Sequence, residues 1–308
     1  MGVSGTGQSC WESGGGEPVR ARRQGRRSDD GDPGVTAAAG AEGIVVDPTR
    51  VIGPVEAALR ARRDGGGKCL VVYVTGGLGA DWLETARAVA AAGADVIEIG
   101  VPFSDPVMDG PTIQAANDVA LDGGATPLGI LDALREGDVG VPLAVMTYYN
   151  IAYRMGLERF AESLMAAGVS GCILPDLPLE EAGPWLDVAA VAGVEPILLA
   201  APTAPEERLP RICERSRGFV YGVGLLGVTG VRSELAASAV EIATRLKQVT
   251  DLPVLVGVGI GTPEQAVEAS WYGDGVVVGS AIVQRMVDRA GPEGVAELVA
   301  EFRVALDA

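Results

Sequence analysis

Apolar runs and amphipathic stretches alternate along the chain from Val51 onward. Eight short runs rich in β-branched residues predict strands, and each is followed by a stretch whose apolar positions have helical spacing. The predicted strands cover residues 70–75, 95–100, 143–147, 171–175, 195–200, 219–224, 254–258 and 275–279. The predicted helices that follow them begin near Asp81, Pro111, Leu157, Leu179, Pro205, Leu235, Pro263 and Ala281.

This order predicts an α/β fold, the (β/α)8 or TIM barrel. A doubly wound sheet usually has about six strands and a Gly-rich first turn, so a count of eight favours the barrel. We also expect an additional N-terminal helix, because Val51, Val55 and Leu59 share one helical face ahead of the first strand. In such barrels the active site lies at the C-terminal ends of the strands.

The beginning of the chain has a different composition. It is rich in Gly, Arg, Asp and Ala and has no apolar periodicity. We therefore expect residues 1–48 to form a disordered N-terminal extension, and residues 49–308 to form the barrel catalytic domain.

Bulk composition narrows the classes of partner. A net charge of −17 disfavours nucleic acid, because neutralising phosphates takes a surplus of Lys and Arg. No apolar stretch approaches the roughly 20 residues that span a bilayer. The first residues also do not read as a secretory signal. We expect no nucleic acid, no membrane and a cytoplasmic location, with the four dispersed cysteines reduced.

The absence of histidine restricts the chemistry. It removes Ser-His-Asp and Cys-His nucleophile systems and His-ligated metal centres, and we predict no metal site. Neither of the two lysines, Lys68 and Lys247, lies at the end of a predicted strand, which disfavours a Schiff-base aldolase. Catalysis must then rest on carboxylates, hydroxyls, backbone amides and arginines.

Carboxylates cluster around the second predicted strand. Glu98 lies near the end of an otherwise apolar strand, and the Pro-rich loop after it carries Asp105 and Asp109. Glu98 taken alone is more typical of a salt-bridged structural acid or an outward-facing residue, and the acids of the loop after it favour a functional role. Two carboxylates in different surroundings can hold separated pKa values and move protons without histidine.

Glycine-rich turns follow the last three predicted strands. They read Gly227-Val228-Thr229-Gly230, Gly257-Val258-Gly259 and Gly279-Ser280. Each one alone is typical of a tight turn. Together they place backbone N–H groups and a helix N-terminus where barrels bind phosphate, which predicts a phosphorylated substrate.

The second predicted strand and the loop after it form one long recognisable segment. It reads Ile97-Glu98-Ile99-Gly100-Val101-Pro102-Phe103-Ser104-Asp105-Pro106, followed by Asp109-Gly110-Pro111-Thr112-Ile113-Gln114. This segment resembles the signature of the tryptophan synthase alpha subunit family. Further matches cover residues 146–150, 174–178, 227–230 and 278–283, so the resemblance extends from about Val51 to the C-terminus.

The resemblance implies retro-aldol cleavage of indole-3-glycerol phosphate into indole and glyceraldehyde 3-phosphate. Glu98 is then the general acid and base, and Asp109 stabilises the indole N–H. Residues implied to bind the substrate are Tyr73 and Tyr148 beside the indole, Tyr221, Gly230, Gly259, Gly279 and Ser280 around the phosphate, and Thr229, which bonds Asp109 on loop closure.

The resemblance also implies a partner. The family works as an alpha2-beta2 complex, a heterotetramer in which the beta subunit carries pyridoxal phosphate and condenses the indole with serine. We therefore expect no cofactor in this chain, and we expect Pro102 and Asp105 to face the beta subunit.

Three departures from the family pattern keep alternatives open. The chain has Gly77-Leu78-Gly79 where Gly-Asp-Pro is usual, Leu226 in place of Ser or Thr, and Ile151 in place of Pro. The alternatives are a stand-alone lyase that releases free indole, and a barrel that has lost catalysis and acts as a binding partner.

Overall fold

The computed structural model describes Gly2 and residues 51–224, 232–257 and 259–308; within helix 232–247, side chains are described from Ser238 onward. The expected disordered extension over residues 1–48 lies, apart from Gly2, outside the described residues and stays a prediction, as does the domain boundary at 48/49. None of the helices in the described ranges is long and apolar enough to cross a membrane.

The described strands form one closed parallel barrel in the order β1-β2-β3-β4-β5-β6-β7-β8. Their bounds are Cys69–Thr75 (β1), Val96–Gly100 (β2), Leu143–Met146 (β3), Val169–Ile173 (β4), Glu195–Ala200 (β5), Val220–Val223 (β6), Val254–Gly257 (β7) and Gly275–Val278 (β8). The predicted (β/α)8 barrel is therefore confirmed, and each predicted strand overlaps an observed one.

Helices surround this barrel. In chain order they are Pro54–Asp64 (α1), Trp82–Ala91 (α2), Pro111–Asp122 (α3), Pro127–Arg135 (α4), Tyr149–Met155 (α5), Leu157–Ala166 (α6), Gly183–Ala192 (α7), Arg208–Arg215 (α8), Arg232–Lys247 (α9), Pro263–Ser270 (α10), Ser280–Val287 (α11) and Gly291–Asp307 (α12).

Two predicted helix starts were early. Before α7, the N–H of Ala182 donates to the carbonyl of Leu179, and before α8 the N–H of Arg208 donates to that of Pro205, so both segments open as turns. The sequence analysis also missed α4, α5 and α12. The start of α4 carries a recognisable signal, because the hydroxyl of Thr126 accepts the N–H of Gly129 at 3.1 Å ahead of a first-turn proline.

Helix α1 closes the N-terminal end of the barrel. Val55 and Leu59 are fully buried among the inward-facing side chains of the strands. The carboxylate of Glu195, at the start of β5, accepts the N–H groups of Val55 at 2.8 Å and Glu56 at 2.9 Å, which caps the first turn of the helix. The predicted N-terminal helix is thus confirmed, and it packs against the end of the barrel opposite the functional site. Val51, predicted on its apolar face, precedes α1 and is exposed, because the helix begins only at Pro54.

Candidate active site

A cavity of about 470 Å³ opens at the C-terminal ends of the strands. Its described lining is mostly apolar, with two carboxylates from β2 and the loop after it and several glycines. The lining residues are Tyr73, Glu98, Val107, Met108, Asp109, Gly110, Ile113, Met146, Ile173, Pro175, Leu199, Ala201, Tyr221, Val223, Gly224, Gly257, Gly259, Ile260, Val277, Gly279 and Ser280.

Glu98 is the most deeply buried acid of this cavity. It lies at the centre of β2 and is 1% exposed, and its Oε2 has no hydrogen-bond partner among the described residues. Burial raises the pKa of Glu98 to about 8, and the nearby charge of Asp109 adds to the shift. The carboxyl group is therefore mostly protonated at neutral pH. Because neutral pH lies close to this pKa, the group can both donate its proton and take one back.

Tyr73 lies beside Glu98 on the neighbouring strand. The two residues are register partners of β1 and β2, and the phenol ring extends over Gly100, where a Cβ atom would come within 1.8 Å of the hydroxyl. Burial, followed by the charges of Asp109 and Glu98, raises the pKa of Tyr73. Gly100 thus provides the space for an aromatic ring beside the buried acid.

A second tyrosine repeats this arrangement across the barrel. A Cβ atom at Gly257 on β7 would lie 2.5 Å from the hydroxyl of Tyr221 on β6. Burial, then the charge of Glu98, raises the pKa of Tyr221 well above its ordinary value. Both phenols therefore stay protonated and can act as hydrogen-bond donors.

Asp109 lies in the loop after β2 and faces the same cavity. Its Oδ2 accepts a hydrogen bond from Nδ2 of Asn117 at 3.2 Å, and its backbone carbonyl accepts one from Nε2 of Gln114 at 2.7 Å. Burial raises the pKa of Asp109, while hydrogen bonding with Tyr148 and Asn117 lowers it. The hydrogen bonds to its side chain give Asp109 a different electrostatic environment from that of Glu98.

Tyr148 lies next to the cavity and is absent from its described lining. It is 3% exposed, its hydroxyl accepts the N–H of Met108 at 2.9 Å, and its ring stacks on Phe103 with centroids 5.0 Å apart. Burial raises the pKa of Tyr148 to about 12. The structure therefore places this tyrosine against the loop that carries Asp109.

The wall of the cavity after β7 and β8 is built largely from backbone. Gly259 has φ +55°, which favours glycine, and Gly279 precedes α11, whose first residue is Ser280. The first N–H groups of a helix have no partner within the helix and attract anions. None of the described lining residues is Lys or Arg. Thr229 and Gly230, predicted for this wall and for loop closure, lie outside the described residues, as does Leu226.

The two residues predicted to face a partner differ in exposure. Pro102 is buried, whereas Asp105 is exposed and accepts a hydrogen bond from the hydroxyl of Ser104 at 2.6 Å. In the altered loop after β1, Leu78 is buried beside Ile113 and Ala116, and it is flanked by glycines with φ +78° and +80°.

Both lysines lie at the other end of the barrel. Nζ of Lys68 donates to the carbonyls of Ser270 and Gly273, and Nζ of Lys247 pairs with Asp274 at 2.9 Å. The described part of the chain holds no cluster of three or more His, Cys, Asp or Glu side chains that could bind a metal ion. Three cysteines, Cys69, Cys172 and Cys213, are free and buried.

Several lining residues were missing from the predicted site. Met146, Ile173, Leu199 and Ile113 add apolar walls, and Asn117 contacts Asp109 from α3. The sequence contains a signal for Asn117. This residue shares a helical face with Ile113 and Ala120, directly after the loop that carries Asp109.

Comparison with known proteins decides the family. The family model described as tryptophan synthase alpha chain matches residues 59–305. The chain belongs to the tryptophan synthase alpha chain family. Among relatives of that name, the protein of Gloeobacter violaceus is 46% identical over 257 residues, covering 82% of this chain and 91% of the relative. That of Streptomyces coelicolor is 42% identical over 257 residues, covering 79% and 93%.

Solved structures agree with this family assignment. Tryptophan synthase of Mycobacterium tuberculosis superposes with a TM-score of 0.78 at 37% identity, covering 84% of this chain and all of the matched chain. An alpha chain from Legionella pneumophila has a TM-score of 0.75 at 31% identity. The tryptophan synthase alpha chain family therefore accounts for both the sequence and the barrel.

Proposed function

We propose that this chain is the carbon–carbon lyase of tryptophan synthase, and that Glu98 and Asp109 cleave indole-3-glycerol phosphate into indole and glyceraldehyde 3-phosphate. The observation that carries the proposal is the buried carboxyl group of Glu98. It has an unpartnered oxygen and faces, together with Asp109, one apolar cavity of substrate size.

Glu98 supplies and recovers one proton during the reaction. With a pKa of about 8 it is mostly protonated at neutral pH, and it donates that proton to the ring carbon that carries the glycerol chain. The resulting carboxylate then takes the proton of the hydroxyl on the adjacent glycerol carbon. The carbon–carbon bond breaks, its electron pair returns to the ring, an aldehyde forms and Glu98 is protonated again.

Asp109 acts on the other side of the indole. Protonation of the ring carbon leaves positive charge on the ring nitrogen, and an ionised carboxylate next to the N–H stabilises that charge. Hydrogen bonding with Tyr148 and Asn117 favours the ionised form of Asp109 against the effect of burial. The two acids thus divide proton transfer from charge stabilisation.

The substrate lies across the mouth of the barrel in this proposal. Its phosphate binds at the backbone of Gly259, Gly279 and Ser280, with the hydroxyl of Tyr221 nearby and Thr229 and Gly230 completing the site. The indole lies beside Tyr73, between apolar walls. Tyr148, predicted to flank the indole as well, also holds the loop that carries Asp109 through its hydrogen bond with the N–H of Met108.

The lyase works with a beta subunit. The released indole passes to that subunit, which carries pyridoxal phosphate and completes L-tryptophan in an alpha2-beta2 complex; alpha chains of the family carry no cofactor of their own. We propose that the loop after β2 faces the beta subunit, with the exposed Asp105 at its surface and Pro102 buried in the same loop. We also place the enzyme in the cytoplasm.

Indole release from indole-3-glycerol phosphate tests this function. The purified chain is assayed alone and with an added beta subunit, and an Asp109→Asn variant is assayed alongside. Weak release that rises strongly with the beta subunit supports the proposal. Strong release by the chain alone, with no response to the beta subunit, indicates the stand-alone lyase, and no release in either condition overturns the proposed reaction.

A further inference from the structure

Asn117 is a buried amide next to the proposed catalytic pair. It lies on α3, is 2% exposed, and its Nδ2 donates to Oδ2 of Asp109 at 3.2 Å. Its Oδ1 is also buried and has no hydrogen-bond partner among the described residues. A buried acceptor without a partner destabilises the folded state, so the packing of α3 alone gives no reason for an amide at this position.

The surroundings of Asn117 favour an apolar residue. Ile113, Ala116 and Ala120 on the inner side of α3 pack together with Tyr73 in one apolar cluster. Asn117 is the polar position of this inner face. Packing therefore does not explain why an amide occupies this position, whereas the hydrogen bond with Asp109 does.

The position of α3 makes this contact specific. The helix begins at Pro111, two residues after Asp109, so its first turns are fixed relative to the loop by a short connection. The amide N–H of Asn117 holds one carboxylate oxygen of Asp109 on the side of the helix. This hydrogen bond fixes the rotamer of Asp109 at the edge of the cavity.

We propose that Asn117 is a positioning residue of the cleavage reaction: its amide N–H orients the carboxylate of Asp109 toward the indole N–H and favours its ionised form. This inference rests on the proposed function of Asp109. Asn117 itself contacts Asp109 and not the reacting atoms. Its effect appears in turnover and in the pH dependence set by Asp109.

Two variants of Asn117 separate this role from packing. Asn117→Leu keeps the branched arrangement of heavy atoms, in a larger volume, and removes both polar atoms, and Asn117→Asp keeps the shape and replaces the donor with a second acid. Each is assayed in complex with the beta subunit for kcat and KM across pH, beside the wild type and Asp109→Asn. The matched control is Asp118→Asn, because Asp118 is exposed on the outer side of the same helix.

Loss of one hydrogen bond to a charged group predicts a kcat about 10- to 100-fold lower for Asn117→Leu, with a smaller change in KM. On the acidic side of the pH profile, kcat falls as Asp109 becomes protonated. This acidic limb moves to higher pH in Asn117→Leu, because the hydrogen bond that favours the ionised form is lost. It moves further in Asn117→Asp, because a neighbouring carboxylate raises the pKa of Asp109. The Asp118→Asn control keeps the wild-type kcat and acidic limb. A structural role alone does not move that limb.

The outcomes distinguish this inference from the function on which it rests. If the wild type releases no indole, the proposed function fails. If the wild type cleaves the substrate and Asp109→Asn is slowed, while both Asn117 variants keep the wild-type kcat and acidic limb, the role of Asn117 is overturned and the function stands. Should Asn117→Leu fail to fold, the acidic limb of Asn117→Asp decides.

Discussion

The hydroxyl of Tyr148 accepts a hydrogen bond from the backbone N–H of Met108 at 2.9 Å. Because Tyr148 directly precedes α5 and Met108 directly precedes Asp109, this bond ties the loop after β2 to the end of β3. The proposed catalytic aspartate is therefore held by a neighbouring barrel loop as well as by the helix that follows it.

Replacing Tyr148 with Phe tests this tie. The variant keeps the stacking on Phe103 and loses the hydroxyl that contacts Met108 and Asp109. Because the ring keeps its packing and the fold loses one hydrogen bond, we expect only a small decrease in the unfolding midpoint. We expect kcat to fall about tenfold, since the loop holds Asp109 less firmly. Steady-state cleavage assays check this, and a kcat equal to that of the wild type would show that the bond is dispensable.

The pH dependence of cleavage follows from the two carboxyl groups. Glu98 must carry a proton to donate it, and burial raises its pKa to about 8, so kcat/KM falls as the pH rises through that value. Asp109 must be ionised, and burial raises its pKa, so kcat/KM also falls as the pH decreases through that pKa. Because the two carboxyl groups interact, the pKa values read from the two limbs of the pH profile belong to the pair and not to either residue alone. A rate that keeps rising above pH 8 would contradict the assigned role of Glu98.

Stability provides an independent measure of the buried acid. The folded-state pKa of Glu98 lies above its ordinary value of 4.5, so the folded chain keeps a proton that the unfolded chain releases. Stability due to this group is present below pH 4.5 and is lost as the pH rises toward about 8, at no more than about 1.4 kcal/mol per pH unit. We therefore expect Glu98→Gln to be more stable than the wild type, by a margin that grows over this window.

Urea unfolding of both proteins at pH 5 and pH 8 measures that margin. Asp118→Asn serves as the control, because its side chain is exposed and its removal leaves the pH dependence of the wild type in place. An equal stability difference at the two pH values would show that the pKa of Glu98 is not raised in the folded state.

Much of the fold and site follows from local sequence pattern. The apolar strand runs and their number predict the barrel, and β2 together with the ends of β7 and β8 then places Glu98, Gly259 and Gly279 around one opening. This works because the C-terminal ends of parallel strands meet at the same end of a barrel.

Other features depend on packing between distant segments. The ring of Tyr148 stacks on Phe103, and its hydroxyl accepts the N–H of Met108, contacts that its position after β3 does not reveal. The starts of α7 and α8 were predicted too early, because turn residues before a helix share its apolar spacing. Asn117 and Asp109 are close in sequence, but their contact depends on the backbone conformation between the loop and α3.

Cleavage of indole-3-glycerol phosphate by the Glu98→Gln variant, with the beta subunit present, tests the central claim most directly. The side chain keeps its shape and can neither donate nor accept the proton, so we predict turnover about 100- to 10,000-fold below the wild type in a folded chain. Turnover within about twofold of the wild type would contradict the assignment of Glu98 as the acid and base of this reaction.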